Sequence, residues 1–594
     1  MLALAICFLS YDVAAQKKKT PDRFAGLDTT INGMLRDWKA AGCAVAVIEK
    51  DKVVYLKGYG YKDFESKIPV TANTQFAIGS CTKAFTATIL GMLQQDGKLS
   101  IDKPVQEYLP ELKFHNQHLT NHVTARDMMS HRTGLPRHDY SWYGATTPRD
   151  SLIYRIRFLE PSAELRERWQ YNNFMYLAQG VLAEKLTGKS WEDLVREKIF
   201  APLEMNNANF SVGDMEKTPD FTYGYLEKND SIVRMPFMNI DPIGPAGSIN
   251  ASAADMAKWT MAWVNGGKYN GKDVIPVSFL SQAISAQMVT GGGVPGPVNP
   301  DVHFSTYGLG WMLSSYKGHY RVEHGGNIDG FSASVSFFPS DSVGIVVLVN
   351  QNASALPSLI RNTVSDRMLN VRRTDWSALQ KESIAKAKAA TPASGNSDSL
   401  NRKENTKPSH PLDDYTGRFE HPGYGIITIS KNGDSLKFDF NHSDGKLYLL
   451  HYHYDMFVVQ NREEKPSLNG MKIKFITGVK GEIESLQAGI EPAVKDITFN
   501  RLSSTIAVSK NQLDQYVGEY VLGQMTAKIY IRGDSTLMLL VPGQPDYELI
   551  PTKTHEFELK GIKGFSVRFD VSGLKAEAIH FIQPNGIFKA TRKQ

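Results

Sequence analysis

The sequence predicts an α/β domain followed by two small antiparallel β-barrels. Three observations lead to this fold class. Strand patterns occur near both ends of residues 20–375 and helical patterns lie between them, so one sheet should join the two ends of that domain. A stretch of linker composition follows at 376–410. The rest of the chain has many short alternating strands and almost no helical pattern, which is typical of small barrels.

The elements of the first domain occur in a simple order. Two β-runs at 44–48 and 53–56 enclose a polar turn and predict a hairpin. A helix is predicted from residue 80 to residue 95, with an apolar side and with Gly97 as its stop. The later elements are two helices and then three strands, predicted at 173–186, 253–264, 320–323, 331–338 and 343–349.

An internal repeat defines the C-terminal region. The sequence LDDYTGRF at 412–419 recurs as LDQYVGEY at 513–520, and Phe457 recurs as Phe557. Each copy contains short alternating strands separated by Gly and Asp turns. We therefore predict one β-barrel at 411–505 and a second at 511–594.

Composition excludes several classes of protein. The chain has 594 residues, and Lys+Arg 67 against Asp+Glu 62 leaves a net charge of only +5. So small an excess gives no basic stripe for nucleic acid. Apolar residues at 42% and charged residues at 22% exclude a fibrous or wholly disordered chain.

The N-terminus resembles a secretion signal. Residues 1–9 are mostly apolar, and small residues follow at 13–15, as a signal peptidase requires. No Lys or Arg precedes the apolar stretch, so a short buried helix is the alternative. A signal at 1–15 predicts a secreted or periplasmic protein without a transmembrane span. The remaining chain keeps only Cys43 and Cys81, so no disulfide framework is expected.

The first candidate for chemistry is the S-x-x-K element Ser80-Cys81-Thr82-Lys83. On a helix, positions i and i+3 share a face, so Ser80 Oγ can approach Lys83 Nζ. The same spacing occurs by chance elsewhere, at Ser100, Ser314, Ser383, Ser443 and Ser572. Ser80 differs from these because it lies between an early strand pair and a long amphipathic helix.

Two further elements follow Ser80 in the chain. Tyr171 and Asn173 lie just before a predicted helix, where a phenol and a carboxamide could both point into a cleft. The alternative is an Asn N-cap beside a packed tyrosine. The second element is His324-Gly325-Gly326-Asn327 at the end of a strand, for which a plain turn is the alternative.

Together the three elements resemble the S-x-x-K, Y-x-N and [KH]-[TG]-G set of the serine β-lactamase-like hydrolases. This family includes class C β-lactamases, D-amino-acid peptidases and related esterases. The resemblance covers residues 25–370 and implies an antiparallel sheet flanked by helices plus a helical subdomain. The two trailing barrels resemble the lipocalin-like modules of D-aminopeptidase-type members.

The resemblance also implies roles for the matching residues. Ser80 would be the nucleophile that forms an acyl-enzyme, and Lys83 and Tyr171 would share the role of base, with the assignment between them left open. Asn173 would orient the substrate and Lys83. The backbone N–H groups of Ser80 and Asn327 would form the oxyanion hole. No metal or cofactor is expected.

The third element departs from the β-lactamase pattern. Where a β-lactamase has Lys-Thr-Gly, this chain has His324-Gly325-Gly326, without a permanent ammonium or a hydroxyl. An imidazole is mostly neutral above its usual pKa of ~6.5, so strong β-lactamase activity is not expected. We expect His324 to line the cleft opposite Ser80 and Gly325 and Gly326 to contact substrate.

Several features have simpler explanations than function. His115, His118 and His122 are spaced like metal ligands but fit a solvated loop better, and His451 and His453 fit a surface pair on a strand. Cys81 fits a small buried thiol.

The sequence therefore predicts a secreted serine hydrolase that acts on a small-molecule or peptide substrate. It would cleave an amide or ester bond in a D-amino-acid-containing peptide or a small ester. The alternative prediction is a non-catalytic binding or sensor protein of the cell envelope. Such a protein would not need Lys83 or Tyr171 as a general base. The oligomeric state stays open.

Overall fold

The computed structural model describes residues 22–296, 300–390, 401–441, 447–461, 468–479, 481–503, 506–533, 535–562 and 564–593. The predicted signal at 1–15 lies outside these residues. The chain divides into two compact units, Met1–Asn401 and Arg402–Gln594. Among the described residues, the helices are too short or too polar to cross a membrane.

The first unit contains fifteen strands and twelve α-helices within the described part of the chain. The strands are β1 Gly42–Glu49, β2 Lys52–Asp63, β3 Ile68–Pro69, β4 Gln75–Ala77, β5 Gly224–Lys228, β6 Ser231–Met235, β7 Asn250–Ser252, β8 Lys268–Tyr269, β9 Lys272–Asp273, β10 Met288–Gly292, β11 Phe304–Tyr307, β12 Met312–Tyr316, β13 His319–Ile328, β14 Phe331–Phe338 and β15 Val343–Val349. The helices are α1 Leu27–Asp37, α2 Lys83–Gln95, α3 Gln117–His122, α4 Ala125–Met129, α5 Arg149–Arg155, α6 Asn173–Thr187, α7 Trp191–Val195, α8 Val212–Met215, α9 Ala253–Val264, α10 Val277–Ala283, α11 Leu356–Met368 and α12 Trp376–Ala390.

A nine-stranded antiparallel sheet joins the two ends of this unit, in the order β10-β11-β12-β13-β14-β15-β1-β2-β3. The early hairpin meets the late strands through β1 and β15, where Val45 lies opposite Val347. Successive side chains of a strand point to opposite faces, so both faces of this apolar pair need cover. Helices α1 and α11 pack on one face and α9 on the other, which confirms the predicted antiparallel sheet flanked by helices.

The helices between β4 and β5 form the helical subdomain. Within it, α6 contacts both α2 and α4, so the segments that carry Ser80 and Asn173 pack directly on each other. Asn172 caps α6, because its side chain accepts a hydrogen bond from the Met175 N–H at 3.1 Å. The turn that contains Ser80 also contacts β13, so the start of α6, Ser80 and β13 lie close together.

The beginning of the predicted linker packs on the first unit. Trp376 is only 7% exposed in the core beside α1 and α11, and its Nε1 donates to Asp366 Oδ2 at 3.0 Å. Trp38 Nε1 donates to Ser377 Oγ at 2.9 Å. The Lys/Ala-rich composition of α12 suggests a solvated segment, but one buried aromatic side chain fixes its first turn.

The second unit contains two closed eight-stranded antiparallel barrels. The strands of the first are β16 Gly417–His421, β17 Gly425–Asn432, β18 Ser435–Phe440, β19 Leu447–His453, β20 Met456–Asn461, β21 Lys472–Thr477, β22 Ile483–Ala488 and β23 Ile497–Arg501. Helix α13 (Lys510–Asp514) precedes those of the second, β24 Gly518–Leu522, β25 Met525–Arg532, β26 Thr536–Leu540, β27 Tyr547–Lys553, β28 Glu556–Leu559, β29 Ser566–Ser572, β30 Lys575–Gln583 and β31 Gly586–Arg592.

The repeated residues of the barrels occupy their cores. Tyr415 and Tyr516, one from each copy of the repeat, are both buried, as are Phe457 and Phe557. In the second barrel a single apolar cluster includes Tyr516, Phe557 and Phe569. The predicted pair of antiparallel barrels is confirmed, and side chains of the barrel itself fill the interior of the second.

Candidate active site

Ser80 lies in a tight turn whose backbone packs closely against β13, and glycines allow this close approach. The turn Gly79–Thr82 is a single 3₁₀ turn that leads into α2, and Gly79 has a left-handed φ of 52°. A Cβ added to Gly79 would lie 2.9 Å from the Asn327 nitrogen, and one added to Gly326 would collide with the Ile78 carbonyl oxygen. Both positions therefore need glycine, because the backbones on either side of Ser80 and Asn327 nearly touch.

Lys83 is fully buried and points at Ser80. Its Nζ lies 3.0 Å from Ser80 Oγ, 2.8 Å from Asn173 Oδ1 and 2.7 Å from the Ala246 carbonyl oxygen. Burial, followed by the charge of Arg137, holds the pKa of Lys83 well below its usual range. In its neutral form the Lys83 amine can donate its two hydrogens to Asn173 and Ala246 and turn its lone pair toward the Ser80 hydroxyl.

Asn173 is held in place by a carboxylate that the sequence analysis missed. Asp139 Oδ1 accepts a hydrogen bond from Asn173 Nδ2 at 2.9 Å, which turns the amide oxygen of Asn173 toward Lys83. Asp139 also accepts from Arg137 Nε at 2.6 Å. No local motif identifies Asp139, because it lies 34 residues before its partner.

Tyr171 contacts both Ser80 and Lys83. Lys83 Nζ lies 4.8 Å from the centre of its ring. Burial raises the pKa of Tyr171, and an interaction with the Ser80 side chain opposes that shift. The phenol is therefore protonated at neutral pH.

His324 is buried and is not among the residues that line the cleft, and its ring centre lies 6.2 Å from that of Tyr171. It is 4% exposed, and along β13 it shares the inward face with Gly326, whereas Gly325 and Asn327 face outward. Nδ1 donates to the Gly325 carbonyl oxygen at 2.6 Å, which leaves Nε2 to accept from the Tyr307 hydroxyl at 2.9 Å. Burial, followed by the charge of Lys83, lowers the pKa of His324 to about 3.

The cleft beside Ser80 has a volume of about 210 Å³. Of the predicted residues, Ser80, Asn173 and Asn327 line it. Its other polar lining comes from Arg137, Asp139, Tyr143, Asp329 and Asn352, none of which the sequence analysis identified. Tyr143 donates to the Asp329 carboxylate at 2.8 Å, so this pair forms a second polar wall.

The other candidates lie outside this arrangement. His122 Nδ1 contacts the His118 carbonyl oxygen at 2.8 Å on an exposed helix, and His451 Nε2 contacts the Tyr454 carbonyl oxygen at 2.9 Å. In the part of the chain that the structure describes, no three His, Cys, Asp or Glu side chains form a metal-binding group. Burial raises the pKa of the Cys81 thiol to about 12, so this thiol is not a reactive nucleophile.

Comparison with known proteins identifies the family. The beta-lactamase family model matches residues 27–366, and a domain of unknown function, DUF3471, matches residues 401–501. Unguisins hydrolase ungD' of Aspergillus campestris (strain IBT 28561) is 30% identical over 448 residues, which cover 71% of this chain and 78% of that protein. Protein flp of Staphylococcus aureus (strain MW2) is 25% identical over 359 residues, 60% of this chain and 68% of its own.

A solved structure shows the same fold. The octameric penicillin-binding protein homologue from Pyrococcus abyssi aligns with a TM-score of 0.53 at 20% identity, over 87% of this chain and 98% of that one. The sheet and the helical subdomain both lie within the residues that the beta-lactamase family model matches. The chain belongs to the beta-lactamase family of serine hydrolases.

Proposed function

We propose that this protein cleaves an amide or ester bond through an acyl-enzyme on Ser80. The observation that carries this proposal is the environment of Lys83, whose buried Nζ lies 3.0 Å from Ser80 Oγ. A free hydroxyl is a weak nucleophile and needs an adjacent base. The low pKa of Lys83 and the raised pKa of Tyr171 favour Lys83 as that base.

The groups around Ser80 support a complete proton path. Ser80 Oγ attacks the substrate carbonyl carbon while its proton moves to Lys83, and the backbone N–H groups of Ser80 and Asn327 donate to the developing oxyanion. Tyr171 gives its proton to the leaving amine or alcohol and is reprotonated by Lys83. A water molecule then attacks the acyl carbonyl carbon and gives a proton to the Lys83 and Tyr171 pair. The bond between the acyl carbon and Ser80 Oγ breaks, and the same pair returns a proton to Ser80 Oγ.

The proposed substrates are D-amino-acid-containing peptides and small esters. We also propose that the protein is secreted or periplasmic. The relative from Aspergillus campestris is named a hydrolase, which supports hydrolysis as the reaction. The apolar N-terminal stretch supports export. A panel of D- and L-aminoacyl amides, D-Ala-D-Ala peptides, short esters and a chromogenic cephalosporin would define the substrate.

Labelling with a fluorophosphonate probe tests the nucleophile. We expect the wild-type protein to be labelled and Ser80→Ala not to be. Ser383→Ala is the matched control, because Ser383 and Lys386 share the S-x-x-K spacing on the exposed part of α12. Labelling of Ser80→Ala at the wild-type rate would contradict the proposal, and binding without turnover would favour the sensor alternative.

A further inference from the structure

His131 holds the backbone on both sides of Tyr171. It follows α4 in a left-handed conformation with φ of 55°. Its carbonyl oxygen accepts from the Gln170 N–H at 2.8 Å, and its Nδ1 accepts from the Asn172 N–H at 3.1 Å. The two donors are the residues immediately before and after Tyr171. The ring of His131 also packs on the ring of Tyr171, with 4.3 Å between their centres.

The hydrogen bond to Asn172 fixes the state of the imidazole. Because Nδ1 accepts, the ring proton resides on Nε2. That atom is buried beside the rings of Tyr176 and Tyr307 and has no hydrogen-bond partner among the described residues. An apolar side chain would fill this space without a buried unsatisfied N–H, so the imidazole is explained by its Nδ1 contact rather than by packing.

The charges around His131 keep that acceptor available. Burial is the largest influence on its pKa, and the neighbouring charges of Lys83, His324 and Arg137 act in the same direction, so the pKa is held well below its usual range. Protonation at Nδ1 would replace the acceptor with a donor that faces the Asn172 N–H. The neutral imidazole is therefore favoured, and it keeps Nδ1 as the acceptor.

We propose that His131 is a positioning residue that acts through Tyr171, by clamping residues 170–172 so that the phenol meets Ser80. This inference rests on the proposed function, in which Tyr171 transfers a proton. If the Tyr171 ring could shift by an ångström, its proton transfer would be lost, whereas the affinity for substrate would stay unchanged. His131 itself touches neither the substrate nor Ser80 in this scheme.

Three variants separate the clamp from simple packing. His131→Asn keeps an acceptor near the Nδ1 position, and Asn tolerates a left-handed backbone. His131→Ala removes the acceptor, and His131→Gln displaces it by one bond. We expect His131→Ala and His131→Gln to lower kcat for a p-nitrophenyl ester ~10- to 100-fold with KM within about twofold, and His131→Asn to stay within about threefold of wild type. If circular dichroism shows that either His131→Ala or His131→Gln does not fold, the other variant is used for the comparison.

A double-mutant cycle with Tyr171→Phe decides the mechanism. If His131 acts through Tyr171, His131→Gln has no further effect on kcat in the Tyr171→Phe background. Additive losses would overturn the proposal, as would equal kcat values for His131→Asn and His131→Ala. Fluorophosphonate labelling of the wild type at Ser80 is checked first, so a failure of the acyl-enzyme scheme is recognised separately from a failure of the clamp.

Discussion

Replacing Arg137 with glutamine should move the pH dependence of the reaction. Lys83 Nζ and the Arg137 guanidinium lie 4.8 Å and 5.0 Å from the centre of the same Tyr171 ring, so at most 9.8 Å separates the two. At that distance, with an effective dielectric of ~20, two positive charges repel by ~1.7 kcal/mol, and in bulk water by ~0.4 kcal/mol. Because the Arg137 side chain is 55% exposed, the effective dielectric lies between these two values, and a shorter separation would make the repulsion larger.

The direction of the change follows from the role of Lys83. The amine must be neutral to accept the Ser80 proton, so kcat/KM rises with pH through the Lys83 pKa. Arg137 lowers that pKa, so removing the arginine raises it, and the raising effect of Asp139 remains. At ~1.4 kcal/mol per unit, we expect the acid limb to move ~0.3 to 1 unit toward higher pH.

The assay is kcat/KM for an uncharged p-nitrophenyl ester, measured across the pH range in which the protein stays folded. Arg196→Gln is the matched control, because Arg196 also lies over an aromatic ring, that of Phe210, but its side chain is 58% exposed and does not line the cleft. That variant should leave the profile in place. An acid limb that stays fixed in Arg137→Gln, or that moves to lower pH, would refute the assignment of Lys83 as the base.

Three further predictions concern Asp139, His324 and the first turn of α12. Asp139→Ala should lower kcat about tenfold in steady-state assays and Asp139→Asn less, because only the latter keeps an acceptor for Asn173; equal losses would argue against this orienting contact. His324→Lys should lower the melting temperature and reduce turnover of a cephalosporin and of a neutral ester by the same factor, because it places a buried ammonium group near Lys83; a selective gain for the cephalosporin would contradict the buried placement. A chain ending at residue 375 should melt several degrees below one ending at residue 401, since loss of a buried tryptophan costs about 3–5 kcal/mol, and equal melting temperatures would show that Trp376 is dispensable.

Sequence patterns identified the parts of the site that are local in the chain. Ser80 and Lys83 are three residues apart on one turn, so their contact follows from helical geometry alone. The internal repeat identified the barrels for a similar reason, because each copy contains its own strands and turns. Asp139 and His131 could not be found in this way, since they meet the segment at 170–173 only after α4 and α6 pack together.

The direction of His324 depends on a contact that the sequence does not show. Gly326 is pressed against the Ser80 turn in the folded chain, and alternate residues of a strand share a face, so His324 points inward with it. The position of Trp376 could not be predicted either. The helix that it begins is polar along most of its length, and the docking of its first turn depends on a pocket formed by residues far away in the chain.

Intact-mass analysis of the enzyme during turnover tests the central claim most directly. The protein is quenched in acid while it hydrolyses a slow ester or a penicillin, and the modified peptide is then mapped. The acyl-enzyme scheme predicts a mass gain equal to the acyl group, located on Ser80, present in Ser383→Ala and absent from Ser80→Ala. Steady turnover without an adduct on Ser80, together with undiminished turnover by Ser80→Ala, would contradict it.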